Sequence, residues 1–136
     1  MSQENVEIVR RGLASVEVFW ASLDEYVVWD LRERPMLDMD SVYVGRDAVV
    51  EATRRYWGTF RDYRLDAEEI FDAGSSVVVV TRERARGKGS GAPFDHRFAQ
   101  VWTFSRGQVV RWEIFEDAAH ALEAVGLSKQ DAHAGS

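Results

Sequence analysis

A few side chains in this sequence are of types that move protons or hold polar ligands. Asp30 closes the short run Tyr26-Val27-Val28-Trp29-Asp30, whose β-branched and aromatic residues read as a strand. A carboxylate held against an apolar wall loses hydration, its pKa rises, and it can act as a general base. A strand-end Asp can equally accept backbone hydrogen bonds and cap a turn, so both readings stand. Gln100 and His96 share a face of a later strand, where Phe94, His96, Phe98, Gln100, Trp102 and Phe104 recur with period two. Imidazole suits acid–base work near neutral pH, which makes His96 a candidate acid or base; its plain alternative is a solvated histidine. On the last strand Trp112, Ile114 and Glu116 share one face, and Arg111, Glu113, Phe115 and Asp117 the other.

Other groupings carry less chemistry. Asp38 and Asp40 form an Asp-x-Asp pair in a polar loop, which can bind a cation or simply be solvated. Arg82, Arg84 and Arg86, with Lys88, make a basic stripe, for which cross-strand pairing with acids outweighs phosphate binding in a chain of formal net charge −6. Gly87 to Gly91 lacks the pattern of a phosphate loop. His96, His120 and His133 do not fall at metal-ligand spacing, so neither metal nor cofactor is expected.

These residues need elements to position them. Val6, Val9, Leu13 and Val16 recur at helical steps after Ser2, and Val16, Phe19, Trp20 and Leu23 form a second stripe, with a break between Gly12 and Ser15. After the strand ending at Asp30, Leu31 to Ser41 is charged and holds Pro35, which reads as a loop. Gly45 precedes a third helix carrying Val49, Ala52, Tyr56 and Phe60 on one face. Strands are then expected over Tyr63 to Asp72, Val77 to Arg86, Phe94 to Phe104 and Val109 to Glu116, joined by Gly-rich turns. Asp117 is placed to cap a last helix through Val125, which Gly126 ends. Helices followed by a run of hairpin-linked strands indicate an α+β fold with an antiparallel sheet.

The chain has 136 residues, the size of one domain, and 46% of them are hydrophobic. Cysteine is absent, which excludes disulfides, thiol nucleophiles and thiolate metal sites. The acidic balance argues against general binding to nucleic acid or to an anionic membrane. No apolar run reaches membrane-spanning length and the first residues lack a signal-peptide core, so a cytoplasmic location is the default expectation.

The ordered segments SQENVEIVRRGL, LDEYVVWD, YVGRDAVVEATRRYW, DYRLDAEEIFDAGSSVVVV, FAQVWTFSRGQVVRWEIFED and ALEAVGL resemble the SnoaL-like branch of the nuclear transport factor 2-like superfamily, which also contains ketosteroid isomerases. The resemblance runs from about Gln3 to Leu127, which makes residues 1–127 one domain and leaves 128–136 as a polar tail. It implies a cone: a curved antiparallel sheet wrapped around the N-terminal helices and enclosing an apolar cavity. It also implies a homodimer packed through the outer sheet face, for which Ala99, Val101 and Thr103 are candidates. Asp30 then corresponds to the isomerase base. Gln100 stands where those enzymes carry a protonated acid, and Gly12 where they carry a phenolic donor. Trp20, Tyr56, Phe98, Trp102, Trp112 and Ile114 would line the pocket, with Glu116 as a second acid. The small polar turn usual between the first two helices of the family is shortened here, which reshapes the cavity mouth. Two functions follow as expectations: a cofactor-independent proton-transfer enzyme (isomerase, cyclase or dehydratase) acting on a small apolar or polycyclic carbonyl compound, or a non-catalytic small-molecule-binding or protein-interaction module.

Overall fold

The computed structural model describes residues 2–127. The polar tail and His133 lie outside the described residues. Helix α1 spans Ser2–Ala14 and α2 spans Val16–Ser22. The break expected between them falls at Ser15, whose extended backbone and side-chain oxygen, accepting from the Val18 amide at 3.4 Å, cap α2. Strand β1, Leu23–Asp30, begins earlier than the Tyr26 start read from the sequence, because Leu23 already pairs with Val109. A three-residue strand β2, Val42–Val44, follows the loop and had no signature of its own. Helix α3 covers Arg46–Trp57 after Gly45, which sits at φ +97°. Phe60, expected on the helix face, instead opens the next strand, since Gly58 closes α3 with its amide on the Arg54 and Tyr56 carbonyls.

The four long strands are β3 (Phe60–Ala73), β4 (Ser76–Gly87), β5 (Pro93–Ser105) and β6 (Gln108–Phe115), and α4 (Ala118–Ala124) ends the fold. Asp117 caps α4 by accepting from the His120 amide at 2.9 Å, and Gly126 at φ +80° ends it, as the sequence indicated. The strands form one curved sheet in the order β2-β1-β6-β5-β4-β3. All neighbours are antiparallel except β1 and β6, so the sheet is mixed. Among the described residues no helix is long and apolar enough to cross a membrane.

Period two gives the sheet two different faces. The inner face carries Trp29, Val77, Val79, Phe98, Trp102 and Trp112, packed against Val9, Phe19, Val49 and Ala52 of the helices. The outer face carries Phe71, Val78, Ala99, Val101 and Phe115, and α4 covers it with Ala121 and Leu122. Ala99 and Val101 are thus buried beneath the chain's own last helix, not exposed for pairing as expected. Further along the outer face the arginine stripe is paired: Arg82 with Asp95 at 2.7 Å, Arg84 with Asp66 at 2.6 Å, and Arg97 with Glu68 at 2.8 Å.

Candidate functional site

The inner face of the sheet does not close completely on the helices. A cavity of about 450 Å³ opens beneath the α1–α2 junction, walled by Gly12 to Val16, Phe19, Trp20, Trp57, Tyr63, Leu65, Trp102 and Trp112. Trp57, Tyr63, Leu65, Gln100 and Trp112 also wall a deeper recess of about 30 Å³, roomy enough for about one water molecule. Gly12 is small for a reason: a Cβ there would lie 2.9 Å from Trp102 Cη2. Any larger residue at that point of α1, a phenol included, would collide with the indole that now fills the space.

Gln100 is the buried amide of this aromatic wall, 1% exposed, and Arg54 and Ser15 add polar groups to the lining. Its Oε1 accepts from Trp102 Nε1 at 2.8 Å and from Trp112 Nε1 at 2.9 Å. The register of β5 and β6 makes this possible, because it sets Trp102 opposite Trp112 and Gln100 opposite Ile114 on the same face. Two fixed donors on Oε1 define which end of the amide is oxygen, and leave Nε2 as the donating end.

Asp30 is not part of this wall. Trp29 faces the cavity, stacked on Trp112 at 4.5 Å, so its neighbour Asp30 points to the outer face, opposite Glu113. There Asp30 is 5% exposed and held by arginines. Arg32 Nη2 donates to it at 2.7 Å, Arg32 Nε and the Arg32 amide each at 3.0 Å, and Arg111 Nη2 also donates. The hydrogen bond from the Arg32 guanidinium, against a smaller cost of burial, holds its carboxyl below the usual range. A carboxylate so held is a poor proton acceptor, and this corrects the assignment of Asp30 as base. Nearby Glu113 is pushed the other way, chiefly by burial.

The carboxylate that does face the cavity is Glu83 on β4, 1% exposed and on the wall of the recess. Its Oε1 accepts from Tyr56 Oη at 3.0 Å, and its Oε2 accepts from Tyr63 Oη. Burial, then the charge on Glu83, then the hydrogen bond to it push both phenols well above the usual tyrosine range. The sequence did hold a signal for Glu83. If Arg82, Arg84 and Arg86 face water, then Thr81, Glu83 and Ala85 must face inward. Arg34 also borders the recess, with its guanidinium 4.8 Å from the centre of the Phe98 ring.

The remaining candidates separate into two groups. Trp20 and Trp102 line the outer cavity, Trp112 lines both compartments, and Tyr56, Phe98 and Ile114 line the recess. His96 and Glu116 reach neither compartment. Both are exposed and border a separate open groove under the Arg34 to Met39 loop, where His96 packs edge-on to Phe94 at 4.2 Å. Glu116 lies just past the end of β6, so the strand alternation no longer directs its side chain inward. Asp38 joins the rim of the same groove.

A mixed curved sheet packed over helices, with an aromatic cavity opening at the junction of α1 and α2, defines a class, and the sequence agrees with it. Residues 7–112 match the SnoaL-like domain, and the chain belongs to that family. No curated protein sequence matches it. Among solved structures, an NTF2-like protein of unknown function from Burkholderia pseudomallei is 21% identical, with a TM-score of 0.72 over 90% of this chain and 97% of that one. TerC, crystallised with polyporic acid, is 18% identical with a TM-score of 0.70 over 90% and 98%. A protein from Jannaschia sp. CCS1 described as a SnoaL-like polyketide cyclase is 18% identical with a TM-score of 0.73 over 90% and 92%. At these identities the likeness is one of fold.

Proposed function

We propose that this protein binds a small, planar, largely apolar carbonyl compound in the cavity beneath α1 and α2, and rearranges it by proton transfer without a bound cofactor. The observation that carries this reading is Gln100. An amide whose oxygen is fixed by two buried indoles has its Nε2–H left to donate, and Gln100 lines the aromatic cavity. A preorganised donor of this kind stabilises negative charge developing on a carbonyl oxygen, and a dry surround strengthens it. Trp20, Trp102 and Trp112 supply flat apolar surface for a ring system. The co-crystallised ligand of TerC and the cyclase description of the Jannaschia protein support a small-molecule reading for the fold. With Asp30 turned outward, Glu83 is the carboxylate that serves the cavity side of the sheet. A homodimer through the outer face, in this reading, uses the paired arginines and acids, since α4 occupies the apolar part.

The test is a thermal-shift comparison of 9-fluorenone with fluorene on wild-type protein and on Gln100→Met. Ligand at about a hundred times its dissociation constant stabilises a fold by roughly 2.7 kcal/mol, a shift of several degrees. Fluorenone is expected to stabilise wild-type protein more than fluorene does, and Gln100→Met is expected to erase the difference. Equal shifts from both compounds in wild-type protein would remove the carbonyl assignment. A flat response to a wider panel of planar ketones, phenols and steroids would remove the cavity reading.

A further inference from the structure

The recess at the inner end of the cavity has a fixed hydrogen-bonding polarity. Tyr56 reaches it from α3 and Tyr63 from β3, and both give their hydroxyl proton to Glu83 on β4. A phenol has one proton, so a phenol that has donated it can only accept from any further partner. Tyr63 lines both the cavity and the recess; its oxygen, on Glu83 at the recess wall and beside the Trp57 indole, which also donates toward it, keeps one further lone pair with which to accept. Gln100, which also lines both, presents the donating Nε2. A second feature of the recess points to an oxygen atom: Trp29 Nε1 is buried on its wall and finds no acceptor among the described residues. A hydroxyl oxygen in the recess would supply one, and its proton would answer Tyr63.

We propose that the Glu83–Tyr56–Tyr63 cluster is a specificity determinant, and that the ligand class is a hydroxy-substituted planar carbonyl compound, with its carbonyl on Gln100 and its hydroxyl donating to Tyr63. The assignment rests on the cavity being the ligand site, as proposed above. Glu83 acts through the tyrosines: it fixes the direction of their hydrogen bonds and is a positioning residue for the ligand hydroxyl. Replacing it by Gln reverses that logic. An amide can itself donate to a phenol oxygen, which frees a phenol proton to point at the ligand, and an ether oxygen then becomes an acceptable partner.

The experiment measures dissociation constants of 6-hydroxy-1-tetralone and 6-methoxy-1-tetralone, by tryptophan fluorescence and calorimetry, for wild-type protein, Glu83→Gln and Tyr63→Phe. Both probes keep the carbonyl and differ only in the proton of interest. Wild-type protein is expected to prefer the hydroxy ketone about tenfold, the scale of one buried hydrogen bond. Both variants are expected to lose that preference. Tyr63→Phe leaves Glu83 its bond from Tyr56, so it carries the test if Glu83→Gln does not fold. Equal affinity of the two ketones for wild-type protein, or an unchanged preference in a folded variant, overturns the assignment and leaves the cavity reading standing. Failure of both ketones to bind wild-type protein overturns the cavity reading and this assignment with it.

Discussion

Asp30 and Glu83 are both nearly buried carboxylates on strands of one sheet, and period two sends them to opposite faces. Glu83 meets phenols and faces the cavity; Asp30 meets guanidinium groups and faces away from it. Their substitutions should therefore separate stability from binding. Asp30→Asn is expected to cost about 1–2 kcal/mol in urea unfolding, because it strips the charge partner from Arg111 while that guanidinium stays partly exposed. The same variant should keep the fluorenone response of wild-type protein. The pH dependence has a definite sign. A carboxyl whose folded pKa lies below its ordinary value of 3.8 stabilises the fold above that value, and the contribution fades as pH falls through the folded value. Measured in a Glu113→Gln background, which removes the neighbouring acid whose pKa is raised by burial and by Asp30 itself, the stability gap between protein with Asp30 and its Asp30→Asn variant should thus shrink below about pH 4. A gap that widens in acid would refute the ion-pair account.

At the scale of elements, the close approach of α1 to the sheet depends on Gly12. Alanine would favour the helix intrinsically by about 1 kcal/mol. It would also place a Cβ 2.9 Å from a buried indole that Gln100 anchors through Nε1. Overpacking of this kind typically costs about 1–3 kcal/mol, so the net expectation for Gly12→Ala is a lower melting temperature. A rise in melting temperature would mean that α1 moves freely away from Trp102. Helix α4 is a second dependence, because it covers Ala99 and Val101. Asp117→Ala removes the cap that holds its first turn and should cost about 1 kcal/mol. Extra binding of a hydrophobic dye should accompany that loss, since the outer apolar face is then uncovered more often; unchanged dye binding would argue that the cap is dispensable to the cover.

At the scale of the whole molecule, the outer sheet face divides into an apolar end under α4 and a charged end with alternating arginines and acids. A dimer formed on this face would join its charged ends. Its dissociation constant, followed by light scattering after size exclusion, should then rise steeply between 50 and 500 mM salt, because exposed ion pairs are screened over about a Debye length. A dimer insensitive to salt would place the contact on an apolar surface elsewhere.

Much of this was already present in the order of residues. The helical steps of α1 and α2, the alternation along β4, β5 and β6, the cap at Asp117 and the stop at Gly126 are local patterns, and local patterns follow from the geometry of the backbone itself. The family and the α+β class came from their order along the chain. That Gln100 and Trp102 share a face was legible from the alternation, and that the Trp112 face turns toward the cavity came from the family resemblance. What the sequence left open depended on pairing between distant segments. The parallel contact of β1 with β6 decides that Trp29 stacks on Trp112, and so turns Asp30 away from the cavity. The folding of α4 onto the sheet decides that Ala99 and Val101 are core and not surface. The convergence of α3, β3 and β4 decides that two phenols share one carboxylate. Period two says that successive residues face opposite ways; which of the two ways is inward is settled only when the strand finds its neighbour.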